Sequence, residues 1–315
     1  MAFSFLKKIR VVVSLLFFLL ISFLFIDFTN SLSPEVVNGT LYFQFIPSIL
    51  KFINLLGIAT TGFIVVLILT LLFGRVYCST FCPLGTLQDI TNHFGKKFRK
   101  RKIYKYARPY NWIRYSFLAI TILFLIFGSI FFVNLLDPYS NFGKIVSNLI
   151  RPVYYGINNI IAAILQKFEI FALYKVDIKS YSWLSFGYSL FILTLVVRLA
   201  MKKGRLYCNT VCPVGTFLGL ISKVSFFKIR LDHTLCNSCG TCGAMCKAQC
   251  IDTKERKVDF SRCVGCLNCL TVCPGNGVKF DWRKNPKESN EKPSHKNRRE
   301  FIGKSPCYRW GPLPF

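Results

Sequence analysis

The sequence predicts an α-helical polytopic membrane protein: four transmembrane helices in a duplicated two-helix hairpin, followed by a small α+β domain. Three observations predict it. Hydrophobic residues make up 52% of the 315, and many are gathered in long runs. The 41 Lys and Arg against 14 Asp and Glu give a formal charge of +27, a balance foreign to a soluble chain this apolar. Twelve of the fourteen cysteines fall in two kinds of repeated motif.

The apolar runs cover about 9–26, 52–73, 113–136 and 183–200. Each reaches or approaches the roughly 20 residues that a helix needs to cross a bilayer. Arg198 sits near the end of the fourth, where its head can snorkel. Lys144, Arg151, Lys167 and Glu169 interrupt Phe142–Leu173, which reads as a loop with an interfacial amphipathic helix. Lys7, Lys8 and Arg10 precede the first run, but no small-residue cleavage site follows it, so it reads as an uncleaved anchor.

The basic residues set the orientation. Of the 41, 34 lie in the N-terminus, in 74–114 and after Met201. Six lie in 27–51 and 137–182. An excess of Lys and Arg marks cytoplasmic loops. Both termini and the C-terminal domain are therefore expected in the cytoplasm, beneath a bacterial inner membrane. The charge is spread as topology requires, so it points to anionic lipid at the cytoplasmic face and not to nucleic acid. The division is a membrane domain over 1–222, a cysteine-rich domain over 223–282, and a polar, flexible tail over 283–315.

All fourteen cysteines fall on the cytoplasmic side, where structural disulfides are disfavoured. Eight follow one rule: Cys236-x2-Cys239-x2-Cys242-x3-Cys246, then Cys263-x2-Cys266-x2-Cys269-x3-Cys273-Pro274. This is the spacing of a bacterial two-cluster ferredoxin, in which the fourth cysteine of each run crosses to the other cluster. One [4Fe–4S] cluster then takes Cys236, Cys239, Cys242 and Cys273. The other takes Cys246, Cys263, Cys266 and Cys269. Gly240, Gly243 and Gly265 let backbone amides point at the sulfurs. Leu231-Asp232-x3-Cys236 and Val258-Asp259-x3-Cys263 repeat a strand–loop–helix unit. A zinc site has no use for eight cysteines in this order. Lys247 stands where the pattern has proline, and Cys250 where a small residue is common. Cys250 is a packed small residue or a spare ligand, and Cys307 is isolated.

A second motif is written twice. Gly74–Thr86 recurs at Gly204–Thr216 with nine of thirteen positions identical. Each copy carries Cys-x3-Cys-Pro, at 78–83 and 208–213, and each follows an even-numbered span. Asp27 and Asp137 lie near the outer exits of the span pairs. Proline favours the first helical position, so Cys82 and Cys212 are expected at helix N-termini, which stabilise thiolates. Arg75 and Arg205 add positive charge. A pseudo-twofold arrangement would gather Cys78, Cys82, Cys208 and Cys212. Three readings stay open for them: a shared metal or Fe–S centre, a dithiol relay, or a helix-packing corner.

Together these motifs resemble the NapH/MauN family of ferredoxin-type membrane proteins over about residues 5–282. The C-terminal part of NosR and the copper-oxidase accessory protein CcoG are similar in the same motifs. The resemblance implies a membrane quinol dehydrogenase that passes electrons from the quinol pool to a partner oxidoreductase. It implies cluster ligands at the eight ferredoxin-type cysteines and a functional role for Cys78, Cys82, Cys208 and Cys212. A CcoG-like copper reductase is the alternative, though three methionines and no His/Met tract suit it poorly. A redox-sensing regulator is the third reading.

Absences narrow the cofactors. His93, His233 and His295 are the only histidines, and none lies in a span, so no bis-His haem is expected. No Cys-x-x-Cys-His and no Gly-x-Gly-x-x-Gly occurs, so no c-type haem, flavin or NAD site is expected. Asp27 or Asp137 is either a helix-end carboxylate or an acceptor for a quinol proton.

Overall fold

The computed structural model describes residues 2–27, 32–55, 61–98, 103–168, 174–176, 182–232 and 234–282. The tail expected to be flexible, 283–315, lies outside them, as do Cys307, His233 and His295.

The first apolar run forms α1 (Ala2–Ile26), which is long and apolar enough to span a bilayer from Ser4. Val12, Leu16 and Leu19 are exposed along it, while Ile21 is buried. Next, α2 (Pro34–Tyr42) and α3 (Phe45–Leu55) meet at 104°. The following helix, α4 (Gly62–Phe73), has only 12 residues. The expected span 52–73 is therefore divided between α3 and α4. The chain reverses inside the apolar run: Phe63 N donates to Ser48 Oγ (2.9 Å), and the Phe52 and Phe63 rings lie 5.3 Å apart.

Two short elements, α5 (Tyr77–Thr80) and α6 (Pro83–Phe98), carry the first Cys-x3-Cys-Pro copy. Then α7 (Asn111–Ile126) ends where Ser129 N donates to Phe124 O (2.9 Å) and Gly128 N to Leu125 O (3.1 Å). That pair of bonds closes a helix C-terminus. The chain turns back into α8 (Ile130–Leu136), stacking Phe132 on Phe124 at 3.9 Å. The expected span 113–136 is thus two helices.

Asp137, expected near an outer exit, is a helix cap. It is buried and caps α9 (Pro138–Ile145), accepting from Ser140 N at 2.8 Å. A π-helical turn, Val146–Ile150, joins α9 to α10 (Arg151–Lys167). The segment Phe142–Leu173, expected as a loop with an interfacial amphipathic helix, continues a helical run from Pro138 to Lys167, and Phe142, Ile145 and Val146 are core. Lys144 does not break the helix, because its ammonium donates to Asn134 O (3.2 Å) and lies over the Tyr188 ring. The second spanning helix is α11 (Trp183–Lys203), followed by α12 (Leu206–Thr210) and α13 (Pro213–Ser222) with the second cysteine copy. Among the described residues two helices have spanning length, or three with the bent α2–α3 pair, against the four expected.

The C-terminal unit is α+β. β1 (Phe227–Leu231) pairs antiparallel with β4 (Val278–Trp282), Phe227 opposite Trp282. Between them come α14 (Thr241–Ala244), the paired strands β2 (Ile251–Asp252) and β3 (Lys257–Val258), and α15 (Asn268–Val272). Ile229, Leu231, Ile251, Val264 and Val278 form its core among the cysteines. Each such buried side chain stabilises the unit by about 1.5–3 kcal/mol.

Backbone contacts seat this unit on the helices. Arg205 N donates to Lys247 O (3.0 Å), Tyr104 N to Ala244 O (3.0 Å) and Phe226 N to Leu71 O (2.9 Å). Gly204 has φ +68°, and a Cβ there would strike Lys247 O. We predict that Gly204→Ala costs about 1–3 kcal/mol. The loss should appear as a lower Tm in detergent and faster proteolysis of the C-terminal unit. An unchanged Tm would refute the role given to this contact.

Candidate functional site

The two Cys-x3-Cys-Pro copies meet in the core of the helical domain. Cys78, Cys82, Cys208 and Cys212 are all buried and belong to one cluster with Tyr77, Leu84, Tyr207 and Leu218. Pro83 and Pro213 begin α6 and α13, so Cys82 and Cys212 stand at helix N-termini as expected, and Gly215 N donates to Cys212 Sγ (3.3 Å).

The arginines bind the copies together reciprocally. Arg75 Nη2 donates to Cys208 O (3.0 Å), and Arg205 Nη1 donates to Cys78 O. Arg75 Nη1 also reaches Asn209 Oδ1 and Ser261 O, each at 2.9 Å. Arg205 is held by both oxygens of Asp89 (2.9 and 2.8 Å). Around the sulfurs, Gln88 Nε2 lies 3.2 Å from Cys208 Sγ and Arg75 Nη2 lies 3.9 Å from Cys78 Sγ.

Burial pushes the thiols of Cys82 and Cys212 up and that of Cys208 to about 11. Without a bound cation they remain neutral thiols, since thiolate ligands form as metal binds. Burial also opposes charge on Asp89, but Arg205, Lys247 and Arg10 around it hold its carboxyl well below the usual range.

The C-terminal cysteines separate into two groups. Cys236, Cys239, Cys242 and Cys273 line one cavity of about 240 Å³. Cys246, Cys263, Cys266 and Cys269 line a smaller one, together with Cys250. These are the two sets expected from crossed spacing. The two runs share their backbone as well. Ser238 and Gly265, Gly240 and Leu267, and Gln249 and Asn276 occupy matching places, and all have positive φ. Such residues turn amides toward a common centre. Gly265 N faces Cys263, and Gln249 N and Ala248 N face Cys246. Asp232 and Asp259 brace the two loops alike, accepting from Thr234 N and Ser261 N (3.0 Å each).

Among the described residues no three His, Cys, Asp or Glu close round a single metal ion. A cluster separates its thiolates by its own irons and sulfides, so the roomier cavity of the Cys236 set and the inward amides of both loops suit it better than a lone ion.

Comparison with known proteins agrees with this geometry. The family Fer4_5, a 4Fe-4S binding domain, matches residues 55–102 and again 185–232, one match for each Cys-x3-Cys-Pro copy. Fer4, also a 4Fe-4S binding domain, matches 256–279. NapH of Haemophilus influenzae, a ferredoxin-type protein, is 25% identical over 70% of this chain and 67% of its own length. MauN of Paracoccus denitrificans, a methylamine utilization ferredoxin-type protein, is 25% identical over 55% of this chain and 48% of its own. These relatives are consistent with a NapH/MauN-type ferredoxin-like protein that carries 4Fe-4S binding domains. YccM of Escherichia coli, a putative electron transport protein, is 26% identical over 66% of this chain, and the match spans about half (51%) of YccM. No solved structure matches the chain.

The departures from the ferredoxin pattern have local causes. Lys247 is drawn to Asp89 (Nζ–Oδ1 3.3 Å), and so its charge is paired within the membrane domain. Cys250 is buried with its Sγ 3.5 Å from Cys246 Sγ, a closer association than a packed small residue requires. Three residues escaped sequence reasoning. Arg10 donates to Ser79 O (3.1 Å) from α1, Gln88 touches a cysteine sulfur, and Asp89 anchors three cations. A signal existed: the second copy has Leu218 and Gly219 where the first has Gln88 and Asp89.

Removing one partner of a buried ion pair leaves an uncompensated charge. Asp89→Asn is predicted to destabilise the chain by about 3–5 kcal/mol. A depressed carboxyl contributes fully above its unfolded value of about 3.9 and loses its contribution as pH falls below that. The deficit of the variant against the parent should therefore be flat from about pH 5 to 8 and shrink in acid. A deficit that grew toward acid would contradict the sign.

Proposed function

We propose that the chain is a membrane-bound iron–sulfur electron carrier that takes electrons from the quinol pool and passes them to a partner oxidoreductase at the cytoplasmic face. In this reading Cys236, Cys239, Cys242 and Cys273 hold one [4Fe–4S] cluster. Cys246, Cys263, Cys266 and Cys269 hold the second, and Cys78, Cys82, Cys208 and Cys212 hold a further cluster at the junction of the two motif copies. A bound [4Fe–4S] cluster supplies one-electron transfer over a wide range of potentials.

The observation that carries the reading is the order of burial. The four Cys-x3-Cys-Pro thiols lie inside the helical core. Arg75 joins that core to Ser261, two residues before Cys263. The Cys263 set is largely buried, and Cys269 feels the charge of Cys242 in the neighbouring set. The last set includes Cys239, which is exposed. Thiol groups thus run from the membrane domain to the surface, where a partner can dock.

The chain's own residues shape this path. Arg75 and Arg205 balance thiolate charge, and amides of the left-handed loop residues donate to sulfur. Those donors tune cluster potential. The exposed apolar faces of α1 and α11 fit a bilayer, and the excess of Lys and Arg around both Cys-x3-Cys-Pro copies supports a cytoplasmic edge for them.

Two measurements test this. Menadiol added to anaerobically purified protein should reduce its clusters, seen as a new electron paramagnetic signal. A chain with full iron that stays silent to menadiol yet responds to dithionite would sink quinol oxidation. Replacing Cys78 and Cys212 by serine should remove about one third of the iron if three clusters are held. Unchanged iron would return these cysteines to a dithiol or packing role.

A further inference from the structure

The two cysteine runs of the C-terminal unit fold alike, and one place breaks the likeness. Cys250 follows Cys246 by four residues, as Gly277 follows Cys273. Gln249 and Asn276 precede them, both at positive φ (53° and 50°). Asp259 N donates to Cys250 O and Asp232 N to Gly277 O, each at 2.8 Å. The backbone at the two places is therefore equivalent, and the side chain differs.

At Gly277 there is no room for a side chain. A Cβ would stand 3.2 Å from both N and Cα of Cys236, the first cysteine of that run. At the matching place the fold accommodates a sulfur. Cys250 is 1% exposed and lines the cavity of the Cys263 set as its fifth cysteine. Its Sγ lies 3.5 Å from Cys246 Sγ, and the Cys263 thiol is its other hydrogen-bond partner. A [4Fe–4S] cluster takes four cysteines, and crossed spacing already supplies them. Cys250 is the sulfur left over. What a spare thiol offers two ligand sulfurs is its S–H, a weak donor facing strong acceptors.

The position of this set gives the donor a purpose. Reduction adds negative charge, and a buried site resists added charge. Cys246, Cys266 and Cys269 are buried, whereas the other set reaches the surface at Cys239. Burial alone would hold an inner cluster below an outer one in potential. Hydrogen bonds to the sulfurs act the other way, because they stabilise the more negative, reduced state. Cys250 adds such a bond on the inner side, and Gly277 adds none on the outer.

We propose that Cys250 is a hydrogen-bond donor to the ligand sulfurs of Cys246 and Cys263, and that it raises the potential of the inner cluster without ligating iron. The proposal rests on the cluster assignment given above, and it adds a residue that sets potential from outside the four ligands.

The test is an anaerobic redox titration of the full chain in detergent, followed by the paramagnetic signals of the reduced clusters, with iron counted in each sample. Cys250→Ala removes the donor, and Cys250→Ser replaces it with a hydroxyl. Both variants should keep the parent's iron. Cys250→Ala should shift the reduction equilibrium of one cluster about threefold to tenfold toward the oxidised form, tenfold being ~59 mV for one electron. The other signals should keep their parental midpoints, and Cys250→Ser should hold the affected one at or above its parental value. A parental midpoint in Cys250→Ala overturns the donor role. An equal fall in both variants overturns it too, because packing then accounts for the effect. Loss of iron from either variant makes Cys250 a ligand or a structural residue, which also overturns it. A parent that binds no iron sinks the cluster assignment itself, so the two failures are told apart.

Discussion

The structure depends on two guanidinium groups that exchange places. Arg75 follows one membrane-domain helix and Arg205 follows another, and each reaches over to the carbonyl of the first cysteine in the opposite copy. Burying an arginine costs several kcal/mol unless its donors are met, so neither copy can fold alone with its arginine inside. Only the paired arrangement supplies the acceptors. The same bonds therefore close the helical core and bring four cysteines together. Because Arg75 also takes Ser261 O, the C-terminal unit is held by the network that holds the thiols. A shift of one copy against the other would disturb packing, thiol spacing and docking at once.

The chemistry was more legible in the sequence than the path of the helices. Crossed spacing sorts the eight ferredoxin-type cysteines, and the same two sets line separate cavities. The repeated thirteen-residue segment announced a meeting of four cysteines, and its conserved arginines are the clamp. Hydropathy did less well because it reports preference for lipid and not continuity. Residues 52–73 and 113–136 are apolar throughout enough to suggest single spans, yet aromatic pairs across each reversal, Phe52 with Phe63 and Phe124 with Phe132, favour folding back. Over 142–173, read as a loop with an amphipathic helix, the helix is longer than Lys144 and Arg151 suggested. Both cations find aromatic rings, Tyr188 and Tyr155, and the segment stays helical. Tertiary partners decide such cases, and they are not adjacent in sequence.

The repeat is also imperfect in a way that carries meaning. Asp89 in the first copy pairs with Arg205, Lys247 and Arg10, while the matching place in the second copy is Gly219. Arg75 consequently meets no carboxylate: it donates to two carbonyls and an amide oxygen and lies 3.9 Å from Cys78 Sγ. The asymmetry is visible in the repeat, but its weight follows only from the two copies facing each other.

The charge balance of the buried centre then makes a specific demand. Arg10, Arg75, Arg114 and Arg205 are all buried, Lys247 leans in, and one carboxylate, Asp89, takes Arg10, Arg205 and Lys247 together. Arg114 spends its donors on Ser261, which is neutral, and Arg262 on Asp259 at 2.6 Å. Cations so enclosed are costly without negative charge nearby. The remaining candidates in that space are the sulfurs of Cys78, Cys82, Cys208 and Cys212 and of the Cys263 set. As neutral thiols they offer nothing to the guanidinium groups. As cluster ligands they are anionic, and the excess of buried positive charge is what an anionic centre needs when water is excluded. On the proposed reading the arginines and the cysteines are two halves of one electrostatic design, buried positive charge standing against the thiolates of a bound cluster.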